Sequence, residues 1–439
     1  MLKNSLLSAV CLLILASCGG SNSSQEPIQS GFEKCSVPDQ NAVFFDFMQN
    51  TYLWYDELPA SIDPQAYSTV DNMLDDVKVS QDRFSGFSEK QAYENFFENA
   101  TFVGFGFSSD STSDPSAYIV RYVFSDSAAE QAGLSRGDRL TNINDFSIAQ
   151  IRDQELSNED IFGPKEEGFS INVTFEKPNG TVVETQMSKI EVSTNTVFAT
   201  QVFSSNVGQV GYLSFQNGFI EPSNEELRIA FAQLASEQVN ELIIDLRYNG
   251  GGRLSVAGNL ASYIVSNAAV GDIFTGLEYN DKNSNRNSSV RFSKKANALN
   301  LSRVVVLTTD NTCSASESII NGLAPHMEVV SIGSTTCGKP VGQMPDEYCD
   351  MVLSAINFRA VNSIGQGEYF DGLAPTCDVQ DEIVADWGSL QDPVFAEAVS
   401  YLNTGSCSTS GRIANDSVRV VKDDKERLGY QAVLTENLN

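Results

Sequence analysis

The chain has 439 residues and a formal charge of -29, with 57 acidic against 28 basic residues. Hydrophobic residues make up 41% of it, with 26 Phe and 14 Tyr, enough to build packed cores rather than a disordered chain, and the length suggests two to four domains. No basic stripe interrupts the acidity, so nucleic acid and anionic membrane surfaces, which demand clustered Lys and Arg, are poor candidate partners.

Residues 1–18 have the form of an export signal: Lys3 is a positive start, and Leu6 to Ala16 form an apolar run too short to span a bilayer. The run ends Leu15-Ala16-Ser17-Cys18-Gly19, which resembles the lipobox of bacterial lipoproteins. The resemblance implies acylation of Cys18 and loss of the preceding peptide, and the lack of an Asp after Cys18 implies the periplasmic face of the outer membrane, or the cell surface. An ordinary small-residue cleavage site is the alternative. The membrane partner expected is thus the lipid anchor alone, with the body outside the cytoplasm. Residues 19–35, rich in Ser, Gly, Asn and Gln, read as a flexible tether.

Residues 36–98 form an N-terminal helical region. Phe44, Phe47, Met48, Thr51, Tyr52 and Tyr55 recur at helical spacing until Pro59, and shorter apolar faces surround Met73 and Phe96. Residues 99–190 change to short alternating strands. Gly104-Phe105-Gly106-Phe107, followed by Ser127-Ala-Ala-Glu-Gln-Ala-Gly133-Leu134-Ser-Arg-Gly137-Asp138, resembles a small β-rich PDZ domain. In that family the first element is a carboxylate-binding loop, whose successive N–H groups form an anion nest; here it implies peptide binding by Gly104, Phe105, Gly106 and Phe107. Ala128 departs from the proline common in the family, and a purely structural β insert is the alternative.

Residues 191–405 alternate strand and helix, which argues for an α/β core with a largely parallel sheet, the whole being a multidomain α/β protein. Ser223-x-x-Glu226 reads as a capping box, and Asp392-Pro393 as the start of a last helix. Residues 406–439 are a polar tail. Beyond Cys11 and Cys18, the six cysteines of an exported chain read as disulfides; sequence does not choose among their 15 pairings, of which Cys313–Cys337, Cys349–Cys377 and Cys35–Cys407 is the set expected. A metal site is the competing reading, weakened by a single histidine and no Cys-x-x-Cys, so neither metal nor cofactor is expected.

Gly333-Ser-Thr-Thr-Cys-Gly-Lys339 fits a phosphate loop by itself, but Pro340 stands where that loop needs a Mg²⁺-binding hydroxyl. Three segments give a better account together: Asp245-Leu-Arg-Tyr-Asn249-Gly250-Gly251-Gly252, Cys313-Ser314-Ala315-Ser316-Glu317 and Gly338-Lys339-Pro-Val-Gly-Gln343. They resemble the C-terminal-processing, or tail-specific, serine peptidases, which use a Ser–Lys dyad. The resemblance implies Ser314 as nucleophile, Lys339 as general base, Gln343 as its orienting partner, and an oxyanion hole from the backbone N–H groups of Gly251 and Ala315. Pro340 departs from a glycine common after the lysine.

The residue types support this independently. A serine hydroxyl needs a base, and the single histidine, His326, lies roughly 18 Å along the helix that Ser314 would start. It reads as a surface residue. A lysine serves as base only if burial lowers its pKa, so a pocket free of carboxylates is expected around Lys339. Ser316 and Glu317 read as helix-start residues, and Gly250 to Gly252 as a donor loop or a plain strand-to-helix turn. Protein or peptide substrates follow. A silent PDZ scaffold, and an esterase or amidase using the same dyad, remain as alternatives.

Overall fold

The computed structural model describes residues 30–111 and 114–408. Residues 1–29 and 409–439, with the export signal, Cys18, most of the tether and most of the tail, lie outside the described residues. Among the described residues no helix is long and apolar enough to cross a membrane.

Ser36 opens the helix Val37–Thr51 by accepting from the Asp39 N–H, and Thr69 caps Val70–Val77 in the same way through Asn72. Phe44, Phe45 and Met48 of the first helix bury against Val70, Met73, Leu74 and Val77 of the second. That apolar cluster also takes in Val341, Leu353, Ala355 and Ile356, far along the chain. The strand Gly86–Glu89 pairs antiparallel with Met351–Ser354, so the helical region and the core share one interior.

An antiparallel sheet follows in the order Phe107–Ser111, Tyr118–Val123, Arg139–Ile143, Ser170–Glu176, Val182–Ser188. Phe105, Val120, Leu140, Val173 and Phe175 fill its interior. Thr101–Gly104 and Ile190–Ser193 pair beneath it, joining the unit to the core.

The core is built on six strands. Val197–Ser205 runs antiparallel to Gly208–Phe215; from there Glu241–Asp245, Arg303–Thr308, Glu328–Gly333 and Cys377–Asp378 are each parallel to their neighbour. The central strands are almost wholly buried, as strands covered on both faces must be. The helices Ser223–Ser236, Leu254–Ile264 and Ala315–Leu323 cover one face, and Pro393–Thr404 the other. Asp392 caps this last helix through the Val394 and Phe395 N–H groups.

Two local expectations need correction. Ser223 and Glu226 do not close a capping box: the Glu226 carboxylate instead accepts from the Thr196 and Val197 N–H groups, and the Ser223 hydroxyl accepts from Thr196 Oγ1 and from the Ile220 N–H. The disulfides are Cys313–Cys337, as expected, but also Cys35–Cys349 and Cys377–Cys407 in place of the other two expected pairs. Tyr348 donates to Asp39 of the first helix, which carries Cys349 to Cys35; the final helix packs on the Cys377 strand and returns Cys407 to it.

Candidate active site

The glycine loop, the Ser314 turn and the Lys339 loop leave the carboxyl ends of three adjacent parallel strands, Glu241–Asp245, Arg303–Thr308 and Glu328–Gly333. Neighbouring strand ends are where an open α/β sheet gathers residues distant in sequence. Here they bring Ser314 and Lys339 together.

Ser314 is half-buried at the start of the helix Ala315–Leu323, with φ 55° and ψ -112°. A non-glycine residue held there marks a tight turn that the surroundings must enforce. The restraints are visible. The Cys313 N–H and Ser316 Oγ donate to the Asn249 carbonyl at 3.2 and 2.8 Å, and Thr312 Oγ1 donates to the Leu246 carbonyl at 2.8 Å. Gly251, at φ 104°, passes so close that a Cβ there would stand 2.7 Å from Ser314 Cβ and 3.1 Å from the Ala315 nitrogen. Only glycine fits. The Gly251 N–H donates to Asn249 Oδ1 at 3.0 Å, so it reaches a substrate only when that bond is released.

A buried ionic network holds the glycine loop from below. The Arg247 guanidinium meets Asp245 at 2.7 Å, Asp392 at 2.6 Å and Asp381 at 2.6 Å. Burial alone would push the Asp245 carboxyl up, but Arg247 holds it below the usual carboxylate range.

Lys339 is 2% exposed and donates from Nζ to Gln343 Oε1 at 3.0 Å. Gln343 Nε2 donates to the Phe84 carbonyl at 2.7 Å and the Ser354 carbonyl at 3.3 Å, which fixes the amide with its oxygen toward the lysine. The Phe84 ring lies 4.9 Å from Nζ. Burial pulls the ammonium from 10.5 down to about 8, while the Asp82 and Glu317 carboxylates resist. The pocket is therefore not free of carboxylates, contrary to the sequence expectation. Both acids are occupied elsewhere: Asp82 accepts from the Phe84 and Ser85 N–H groups and from Tyr52 Oη.

Glu317 does far more than begin a helix. Its carboxylate accepts from the Ser314, Gly338 and Lys339 N–H groups, each at 2.8 Å, and from Thr336 Oγ1 at 2.5 Å. Ser314 and Lys339 both donate to the same oxygen, so their backbone nitrogens lie within two hydrogen-bond lengths. The Cys313–Cys337 disulfide, Cα atoms 5.2 Å apart, makes a second link between the two loops. A third comes from Arg83, whose guanidinium donates to the carbonyls of Cys337, Gly338 and Phe370 at 3.3, 3.2 and 3.1 Å.

Sequence reasoning missed Asp82, Arg83 and Phe84 as site residues, since they lie in a stretch read as helix packing. Glu317 carried a signal, three residues after Ser314, read only as a helix start. His326, expected on the surface, is instead half-buried against Phe292, ring centroids 4.9 Å apart. Gly104 to Phe107 sit in the antiparallel unit, between Thr101–Gly104 and Phe107–Ser111.

Residues 206–379 match the model of peptidase family S41, and residues 39–86 match the S41 N-terminal domain, a stretch that includes Asp82, Arg83 and Phe84. The chain belongs to peptidase family S41. Among similar proteins, one named probable CtpA-like serine protease of Staphylococcus epidermidis is 25% identical over 293 residues, 66% of this chain and 55% of that protein. The carboxy-terminal processing protease CtpB of Bacillus subtilis is 26% identical over 317 residues, 71% of this chain and 62% of its own. The S41 chain thus spans little more than half the length of these relatives. A crystal structure from Bacteroides fragilis, assigned to the S41 proteases, shares the fold with TM-score 0.66 at 24% identity, covering 82% of this chain and 96% of that one.

Proposed function

We propose that this chain is a serine endopeptidase acting on protein substrates outside the cytoplasm. One observation carries the reading: a lysine 2% exposed, its ammonium lowered to about 8, stands on a loop tied through Glu317 to the Ser314 turn. A neutral Lys339 takes the Ser314 Oγ proton as Oγ attacks the peptide carbonyl carbon. The lysine ammonium then protonates the departing amine, leaving an ester on Ser314. Water, deprotonated by the same amine, releases the new carboxylate and restores the serine. Ala315 N–H supplies one oxyanion donor, and Gly251 N–H a second once it leaves Asn249 Oδ1; each such donor is worth about 3 kcal/mol.

Residues 99–190 act as a PDZ-like domain that captures an extended C-terminal or unfolded segment at Gly104 to Phe107 and feeds it to the largely parallel core. Cys18 anchors the body to the outer membrane through lipid. The loop motif and its edge strand support the first reading, and the lipobox-like sequence supports the second.

The test is cleavage of an unfolded protein by the soluble body, compared with Ser314→Ala and Lys339→Ala. Cleavage by the parent and by neither variant is expected. Equal cleavage by all three, or turnover of a small ester with no proteolysis, refutes the proposal.

A further inference from the structure

Cys313 directly precedes Ser314, and Cys337 stands two residues before Lys339, so one disulfide joins the two loops beside both reacting side chains. Cys313 is wholly buried, whereas Cys337 is half-buried and follows the exposed Thr335 by two positions. A reductant therefore approaches from the Cys337 side. The loops do not depend on the disulfide alone. The Cys337 N–H donates to the Thr312 carbonyl at 3.1 Å, and Arg83 holds the Cys337 carbonyl at 3.3 Å. Opening the disulfide thus leaves two thiols side by side on a backbone that still holds.

A carboxylate completes the set. Glu317 Oε2 lies 3.5 Å from Cys337 Sγ, and the ligand atoms of Cys313, Glu317 and Cys337 all lie within 4.8 Å of one another. Two ligands of a tetrahedral zinc, a sulfur at about 2.3 Å and an oxygen at about 2.0 Å, stand about 3.5 Å apart. Thiolates favour zinc-like soft cations over magnesium and calcium, and three protein ligands leave a fourth position for water. While the disulfide is closed neither sulfur is a thiolate, so the site arises only on reduction.

Glu317 Oε2 is also the atom that accepts from the Ser314 and Lys339 N–H groups. A cation taken up here draws on the oxygen that joins the two loops. It also replaces the direct link between the sulfurs by a bridge of two metal–sulfur bonds, which spreads Cys313 from Cys337. A displacement on the order of 1 Å in loops that carry reacting groups can cost about 10²-fold in rate.

We propose that Cys313, Cys337 and Glu317 form a thiol-gated inhibitory site for zinc or a similarly soft divalent cation. A dithiol opens it. One of its thiolates attacks Cys337 Sγ, the Cys313 sulfur leaves as thiolate, and the second thiol resolves the mixed disulfide. The reductant ends as a disulfide and the protein as two thiols. The cation then displaces both thiol protons to solvent and is held by two thiolates and Glu317. The device keeps the chain silent where thiols stay reduced and lets it act where disulfides form. The inhibition, though not the binding, rests on the Ser314–Lys339 reading of the active site.

Cleavage of an unfolded protein by the full chain is measured oxidised and after reduction with a water-soluble phosphine, which becomes its oxide, each with and without zinc. Zinc should lower the activity of the reduced chain at least about tenfold, leave the oxidised chain unchanged, and be reversed by a chelator. The reduced double variant Cys313→Ala, Cys337→Ala should ignore zinc. Titrated with cobalt, it should bind one ion fewer per chain than the reduced parent, read by the thiolate-to-cobalt absorption band. Cys337→Ser alone repeats both measurements should the double variant not fold. The double variant Cys377→Ala, Cys407→Ala, which breaks up the other group of two cysteines and a glutamate, Cys377, Cys407 and Glu397, should still be inhibited. Equal zinc sensitivity of oxidised and reduced parent, or undiminished inhibition without Cys313 and Cys337, overturns the inference. Cobalt bound at these cysteines with proteolysis unaffected by zinc keeps the site and overturns its inhibitory role. No proteolysis by the oxidised parent strikes the peptidase reading instead, and the cobalt titration still decides the site.

Discussion

Replacing Lys339 by methionine should abolish proteolysis and at the same time stabilise the fold, by an amount that depends on pH in a defined way. The ammonium is pulled from 10.5 to about 8 by burial, against the pull of Asp82 and Glu317. With the side chain 2% exposed, solvent screening takes little from that shift. Each pKa unit is worth about 1.4 kcal/mol, so keeping the lysine charged in the fold costs about 3 kcal/mol.

A folded pKa below the unfolded value means that the unfolded chain holds more protons between about 8 and 10.5. Parent stability therefore rises with pH across that window, and the full cost applies below it. Lys339→Met, nearly the same volume without the charge, should be more stable than the parent by up to about 3 kcal/mol below pH 8, less whatever Asp82 and Glu317 lose with their cation. The difference should shrink toward zero near pH 10.5. Guanidinium unfolding of both proteins, disulfides intact, measures it. Below that window the parent's log kcat/KM should climb with a slope of about one up to pH 8, and across the window it should be level, as the neutral amine becomes the prevailing form. A stability difference that does not change with pH, or activity that is flat through pH 8, refutes the buried-base reasoning.

Glu317→Gln replaces an acceptor of three N–H groups with an amide that turns a donor toward some of them. A loss of about 3 kcal/mol of stability and a kcat at least tenfold lower, with KM little changed, are expected from unfolding and steady-state proteolysis. Arg83→Ala frees three carbonyls of the lysine loop and should lower kcat on the order of tenfold; Arg83→Lys, lacking the planar fork, should recover little of it in the same assay. The double variant Cys313→Ala, Cys337→Ala should stay folded, since Glu317 still joins the loops, but lose several-fold in kcat and about 3 kcal/mol of stability; the double variant Cys377→Ala, Cys407→Ala should leave kcat unchanged.

The segments that meet at the proposed dyad were legible in the sequence because their signals are local and chemical. A serine at a helix start, a lysine in a loop after an apolar strand and a glycine run after another strand each follow from short segments. The helical face of Val37–Thr51 was legible in part: Phe44 and Met48 are buried at the spacing read, but Phe47 and Thr51 are only half-buried, and the helix ends at Thr51 rather than running on to Pro59. What was not legible depends on chain ends meeting far apart in sequence. Cys35 finds Cys349 because the first helix packs on the hairpin that ends at Ser354, and no spacing encodes that contact. The Ser223 and Glu226 pattern misled, because both side chains are taken up in satisfying the start of the edge strand at Thr196 instead of capping the helix. Asp82, Arg83 and Phe84 show no periodicity at all, because each acts through a partner more than 250 positions away or through a buried tyrosine.

These three residues explain how an acidic protein keeps a lysine partly discharged. The field of 57 carboxylates favours the ammonium, and two of those carboxylates stand close to it. A dry wall has to outweigh them. Asp82 supplies it indirectly: by accepting from the Phe84 and Ser85 N–H groups, it folds the loop so that the Phe84 ring covers Nζ and the Phe84 carbonyl orients Gln343. The same acid that raises the lysine pKa by charge is thus the one that organises the burial lowering it. That opposition accounts for a pKa near 8 rather than one far lower, and it means that Asp82→Asn should not simply improve the base. Losing the charge removes the pull on the ammonium, but an amide accepts less well from two N–H groups and a tyrosine, so the wall loosens as the field relaxes.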